Sequence, residues 1–330
     1  MKKVAALLLA AVMACGLAAC SGGGSSAPAS TAAPASAPAD GEQSYTIGIC
    51  QLMEHDALDA ATQGFKDTLT EKLGGKVVFA EQNAQGEAVN CATIVTKFVA
   101  DGVDLIMANA TPAVKAAKEA TSTIPVVGTS VTGYAASGLV DSDDAPGANV
   151  TGSSDYNPVT NQITLLQKLA PEAKVIGIVY CSGEENSQIQ ADEAEAALTE
   201  AGYEVKRYTF AESSEMSAVF TQAAGEVDAF YEPTDNQVAT NMELVRSVTV
   251  PAGKPVICGE GGMVENGGLA SYGVDYYSIG CAAGEQAYEI LVGGADPAAM
   301  PISVMSTDQL QLVLNEAVAE ELGIDTSVLD

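Results

Sequence analysis

Tryptophan is absent from this 330-residue chain, histidine occurs once, at His55, and lysine and arginine together number only 14. Each scarcity closes a class of function. A lone imidazole cannot build a His-rich metal site, and neither HExxH nor GxxxxGK[ST] occurs, which removes zinc hydrolases and P-loop enzymes. The 14 bases face 43 acids, a formal charge of −29, so the chain lacks the basic face that binding to phosphates requires. Nucleic acid is therefore not an expected partner. Cysteine usage is sparing as well. Besides Cys15 and Cys20 near the start of the chain, Cys50, Cys91, Cys181, Cys258 and Cys281 are an odd set with no CxxC spacing, so no disulfide framework is expected. Cys50, Cys181 and Cys258 each end an apolar run and read as small buried hydrophobes.

What is present is a chain with 47% hydrophobic residues, ample for a core, and long enough that one core is expected to split into two lobes. Its first 19 residues read as an export leader: Lys2 and Lys3, then an apolar stretch from Val4 to Ala19 that is too short to span a bilayer as a mature helix. The leader ends in Leu17-Ala18-Ala19-Cys20, which resembles the bacterial lipobox and implies a lipid on Cys20. Residues 21–44 are almost wholly Ser, Gly, Ala, Thr and Pro, the composition of a flexible tether. Together these features predict a soluble body anchored at the outer, extracytoplasmic face of a cell membrane.

From residue 45 short apolar runs alternate with helix-period segments. Strands are expected at 45–50, 76–80, 105–108 and 125–128. Between them lie a helix striped by Leu58, Ala61, Phe65, Leu69 and Leu73 and a second that stops at Gly102. After a break at 129–154 the alternation restarts, with strands expected at 175–181, 203–210, 227–231 and 255–258. A Gly-rich strand near 269–272, a helix carrying Tyr276, Ile279, Ala283, Ala287, Ile290 and Leu291, and a last strand near 302–305 follow. Such alternation specifies parallel sheets with helices on both faces. The fold class expected is α/β, two doubly wound parallel-sheet lobes joined by a three-strand hinge. The first lobe is placed at 45–130 plus about 273–300, the second at about 131–272 plus 301–330.

The familiar catalytic motifs fail on inspection. Cys258-Gly259-Glu260-Gly261-Gly262-Met263-Val264 lacks the third glycine of a dinucleotide fingerprint, and Gly128-Thr129-Ser130-Val131-Thr132 lacks the last glycine of a nucleophile elbow. Asp141-Ser142-Asp143-Asp144 lacks the glycine and terminal Glu of a calcium loop. No cofactor and no catalysis are expected.

Six short segments do carry a resemblance: Glu54-His55-Asp56-Ala57-Leu58-Asp59, Asn83-Ala84-Gln85, Ala110-Thr111-Pro112-Ala113, Asn149-Val150-Thr151-Gly152, Glu185-Asn186-Ser187 and Pro233-Thr234-Asp235-Asn236. In this order, and beside a lipobox, the chain resembles the ABC-transporter substrate-binding family that includes receptors for tryptophan and other aromatic amino acids. The resemblance implies a type I periplasmic-binding fold, monomeric, that closes on a small molecule and presents it to a membrane permease. An amino-acid ligand would bring an ammonium and a carboxylate, each of which must be matched in a desolvated cleft. Asp235 is the expected ammonium partner, with helix capping as its plain alternative. Thr111, Thr129 and Ser130, after first-lobe strands, are expected donors to the carboxylate, and Tyr134 an aromatic wall. His55, Asn83, Asn186, Ser187, Asn236 and Glu260 complete the candidate set. A nucleoside, sugar or other metabolite in the same fold, or a sensing role beside a membrane signalling protein, stays open at this point.

Overall fold

The computed structural model describes residues 44–329. The expected leader, the lipidation site at Cys20 and nearly all of the expected tether lie outside the described residues. In chain order the body runs β1 (Tyr45–Gln51), α1 (Asp56–Leu73), β2 (Val77–Asn83), α2 (Ala88–Asp101), β3 (Leu105–Asn109), α3 (Thr111–Ala120), β4 (Val126–Val131) and β5 (Val150–Ser154). It continues with α4 (Val159–Leu169), β6 (Val175–Cys181), α5 (Glu185–Glu200), β7 (Glu204–Phe210), α6 (Met216–Ala224), β8 (Ala229–Glu232), α7 (Asn236–Thr240), α8 (Met242–Thr249), β9 (Val256–Cys258), α9 (Gly261–Glu265) and β10 (Ala270–Gly273). The last elements are α10 (Tyr276–Leu291), β11 (Ser303–Val304), β12 (Gln311–Leu314) and α11 (Glu316–Leu322).

Two six-stranded sheets form, ordered β11-β5-β4-β3-β1-β2 and β12-β10-β9-β8-β6-β7. All pairings are parallel except β10 with β12. The same winding occurs twice, so each sheet reverses direction of growth at one point, between β1 and β3 and between β6 and β8. Loops leaving the carboxyl ends of strands at such points are where open α/β sheets bind ligands. The first sheet is sandwiched between a layer that includes Phe65 and Leu69 of α1 with Ala283 and Ala287 of α10, and a layer that includes Val95, Phe98 and Val114. The second sheet is covered in the same way on both faces. Cys50, Cys91, Cys181 and Cys258 are buried free thiols within these layers.

The chain passes between the sheets three times, at 155–158, 274–275 and 305–310. The first lobe therefore reaches beyond both boundaries read from the sequence. The stretch 129–154, read as a break, contains β5, which joins the first sheet beside β4, and β11 joins that sheet on the other edge of β5. The reason is chemical. Val150-Thr151-Gly152-Ser153-Ser154 is a fully buried strand with one large apolar residue, and its hydroxyls are satisfied locally. Thr151 donates to the Met300 carbonyl (2.9 Å) and Ser153 to the Ile279 carbonyl (2.8 Å). A strand solvated by its own neighbours shows no hydrophobic run.

The return of α10 to the first lobe rests on small residues. α1 and α10 lie so close that a Cβ on Gly280 would overlap the Ala61 backbone, and one on Gly64 the Tyr277 carbonyl. Replacing Gly280 by Val must therefore part the two helices and disturb the core beneath them. The expected loss is about 2–4 kcal/mol, by the cost of overpacking a tight contact, and is measured by urea unfolding; an unchanged midpoint would refute the seam.

Candidate functional site

Between the two sets of strand ends lies a narrow cavity of about 10 Å³. Its walls nearly meet. The lobes are held shut across it. His55 lies 3.1 Å from Asn236 Oδ1 and Thr132 3.2 Å from Thr234, each pair joining one lobe to the other. At the rim Lys115 pairs with Glu185 (2.8 Å) and Asn266 donates to Asp56 (2.8 Å).

The walls are polar and acidic. Asp155, Asp235 and Glu260 line the void and no lysine or arginine does. Glu184 lies directly behind, 2.6 Å from the Asn236 amide nitrogen, and Glu232 is fully buried on β8. Burial pushes all five carboxyls above their ordinary range, Glu260 to about 7 and Glu184 to about 8, the latter helped by the nearby Asp235. Burial has the opposite effect on His55, holding its pKa below the ordinary 6.5, and its hydrogen bond to Asn236 only partly offsets this. Asn236 gives its amide hydrogens to Glu184, so its oxygen accepts, and His55 Nε2 carries the donated proton.

Most of these groups are already committed. Asp235 accepts from the backbone N–H of Val238 (2.9 Å) and of Cys181 (2.7 Å), capping α7 and tying it to β6. Glu260 accepts from Gly262 and Met263 (2.6 and 2.8 Å) and caps α9. Glu184 accepts from Asn236 and Gln237 N–H groups, 3.1 Å each. Thr132 and Thr234 form a relay that ends on Gln190, 2.7 Å from the Thr234 hydroxyl.

Three polar atoms in the wall are uncommitted: Ser130 Oγ, Asp155 Oδ1 and Asn186 Oδ1 are buried without a hydrogen-bond partner. The sequence explains their placement. β4 and β5 slip in register between Gly128 and Val131, and Ser130, at the slip, has φ of 55°, a strained value for a residue with a side chain. Asp155 follows the last rung, Val131 opposite Ser154, and its other oxygen accepts from the Tyr276 hydroxyl at 2.9 Å. Asn186 sits in the first turn of α5, its amide nitrogen turned to the Thr234 carbonyl (2.9 Å) and Glu184.

Of the residues singled out from the sequence, the structure brings together His55, Ser130, Asn186, Asp235, Asn236 and Glu260. It places five elsewhere. Tyr134 is buried beneath the first sheet's end with its hydroxyl on the Ser153 carbonyl (3.1 Å), and Tyr276 supplies the aromatic side of the void. Thr129 is tied to Ser153 (3.0 Å) inside the sheet, and Thr111 lies in the outer groove beside Lys115 and Glu185. Asn83 accepts from Gln85 N–H (2.6 Å) at a shallow pocket beside α1. Ser187 is fully buried behind Asn186, and its hydroxyl bonds Asp235. Missed were Leu58, Thr132, Asp155, Thr234, Ala239 and Tyr276. For Asp155 the available signal was its place immediately after a strand that was itself overlooked.

A family model described as ABC transporter substrate binding protein matches residues 46–328. The chain is 36% identical over 326 residues to a tyrosine-binding protein of Clostridioides difficile (strain R20291), covering 98% of this chain and 93% of the relative. It is similar to a solved Streptococcus pneumonia domain in complex with L-Trp, with TM-score 0.83 and 35% identity over 87% of this chain and 98% of the other. A ligand-free, open structure of a Clostridium difficile substrate-binding protein with adhesive properties matches at 36% identity with TM-score 0.66, covering 86% of this chain and 96% of that one. At nearly equal identity the present lobes match the ligand-bound arrangement better than the open one, in agreement with the hydrogen bonds that hold them shut.

The buried carboxyls give a pH dependence with a definite sign. Glu184 titrates at 4.5 when exposed and about 8 when folded, so above 4.5 the folded protein holds more protons and stability falls as pH rises towards 8. Below 6.5 the depressed His55 works in the opposite sense, because charging it favours unfolding. Between pH 6.5 and 8 only the carboxyl effect remains. The ligand-free protein is expected to lose about 1–2 kcal/mol and a few degrees of Tm across that interval, and Glu184→Gln to flatten the slope in a calorimetric pH series. A Tm that rises over the interval would refute the assignment.

Proposed function

The chain belongs to the ABC transporter substrate-binding protein family, whose members bind substrate and are not enzymes, and from that premise we propose that it captures an aromatic amino acid between its lobes for delivery to a membrane permease. The observation that carries this reading is the unsatisfied Asp155 oxygen in a buried cavity without lysine or arginine. Such an oxygen is costly to bury unpaired, and a ligand ammonium removes the cost while restoring the charge that burial suppresses. Asp235, the residue favoured from sequence, has its oxygens filled by backbone donors and serves as a cap.

The ligand carboxylate needs donors. Ser130 offers its hydroxyl, and α1 opens beside it at His55 with no side chain capping its first N–H groups. The ring of Tyr276, Leu58 and Ala239 supply apolar surface for the ligand side chain. Because the shut lobes leave so little space, entry requires them to part, and the three crossings at 155–158, 274–275 and 305–310 are the hinge. Tyrosine and L-Trp, named for the relatives, match this chemistry and are the ligands of first choice. With the leader at 1–19 removed, a lipid on Cys20 and the tether that follows hold the protein, a monomer, at the outer face of the membrane.

Isothermal titration of the native protein with tyrosine and tryptophan is expected to show saturable binding, weakened on the order of 100-fold or more in Asp155→Asn. Asp235→Asn is expected to act chiefly on Tm through the lost cap. Unchanged affinity in Asp155→Asn, or binding of nucleosides or sugars in place of amino acids, would overturn the reading. The anchor has its own test: Cys20→Ala should shift the protein from the membrane fraction to the soluble one, and persistent membrane association would exclude the lipid.

A further inference from the structure

The three uncommitted wall atoms are not interchangeable. Ser130 Oγ can donate, whereas an ionised Asp155 oxygen and an amide oxygen can only accept. An α-amino acid carries its carboxylate and ammonium on one carbon, so both must be met at one end of the cavity. Ser130 and Asp155 are such a pair, because both adjoin the rung Val131 opposite Ser154 at the end of the first sheet. The end of the ligand that holds both charges is thereby fixed to the first lobe.

Asn186 remains, on the opposite lobe. It is 4% exposed, and its orientation is determined by its neighbours: the amide nitrogen faces the Thr234 carbonyl at 2.9 Å and Glu184 Oε2 at 3.3 Å, two acceptors, which leaves the oxygen as the unpaired atom. The nearby hydroxyls are engaged elsewhere: Thr132 and Thr234 are spent in their relay to Gln190, and Ser187 bonds Asp235. With the ammonium assigned to Asp155, an unpaired acceptor on the opposite wall of the cavity calls for a donor on the ligand side chain.

Building on the amino-acid reading above, we infer that Asn186 is the specificity-determining residue that accepts a hydrogen bond from the ligand's ring substituent, a phenol O–H or an indole N–H. The site thus selects aromatic amino acids bearing a ring donor over those with a bare ring. Phenylalanine fills the same space but leaves the buried oxygen unpaired, and a site built to bond a substituent discriminates strongly against the analogue that lacks it.

The test is a titration series of the native protein with tyrosine, tryptophan and phenylalanine, repeated on Asn186→Leu and on Asn186→Ser. In the native protein at least one of tyrosine and tryptophan is expected to bind on the order of 10-fold to 100-fold more tightly than phenylalanine. In the variants that ratio is expected to shrink to within a few-fold, chiefly through loss of affinity for the donor-bearing ligand. Equal affinity for all three in the native protein overturns the inference and leaves the amino-acid reading standing. A preference that survives both substitutions undiminished overturns the role of Asn186. Binding of none of the three overturns the amino-acid reading and the inference with it. If Asn186→Leu does not fold, the smaller Asn186→Ser and the native series still decide.

Discussion

Everything at the centre of this molecule follows from carboxyl groups held in a closed, low-dielectric space without a basic side chain to neutralise them. Asp155, Asp235, Glu184, Glu232 and Glu260 all sit where water is excluded, and all are driven towards the protonated form. The protein offsets this by aiming backbone N–H groups at them: α7 and α9 begin where Asp235, Glu184 and Glu260 can cap them. Helix starts in the second lobe are therefore part of the electrostatics of the cleft. What they leave unsatisfied are both oxygens of Glu232, behind the cleft on β8, and one oxygen of Asp155, which lies on a crossing between lobes and is bonded to Tyr276 at the start of the next return. A charge delivered there acts on the hinge as directly as on the wall.

The latch across the cleft is made of weak contacts. His55 to Asn236 is a neutral hydrogen bond, Thr132 to Thr234 another, and the Lys115–Glu185 pair is half exposed, of a kind worth about 0–1 kcal/mol. Closure by contacts of this size is readily reversed. That suits a substrate-binding protein, because it leaves the balance between open and closed lobes to be set by the ligand.

Much of the architecture was legible in the sequence because parallel sheets covered on both faces need continuous apolar strands, and β1, β3, β6 and β8 are written that way. α1 declared itself by its stripe from Leu58 to Leu69, and α2 by the glycine at 102, which adopts φ of 69° as a helix-ending residue should. β5 was invisible for the opposite reason: its Thr and Ser side chains find partners only in the assembled lobe, so no local pattern announces that they are buried. The site divides along the same line. His55, Asn186, Asp235 and Asn236 lie at helix starts that follow readable strands and line the cavity, while Asp155 and Thr132 depend on an unread strand and a register slip. Thr129, on β4, and Tyr134, in the loop that follows it, are near the cavity but turn their hydroxyls to Ser153, a distinction one residue of register decides.

The close seating of α10 on α1 also governs the order in which the molecule can be made. The first lobe buries Ala283, Ala287 and Ile290 in its core and takes β11 as an edge strand, so it stays unfinished until nearly the whole polypeptide has emerged. Each sheet takes an edge strand from beyond residue 300, and the pairing that completes the first joins residues about 150 positions apart. Such long-range closure is slow. It lengthens the interval in which the polypeptide is still loose, before its two halves lock together.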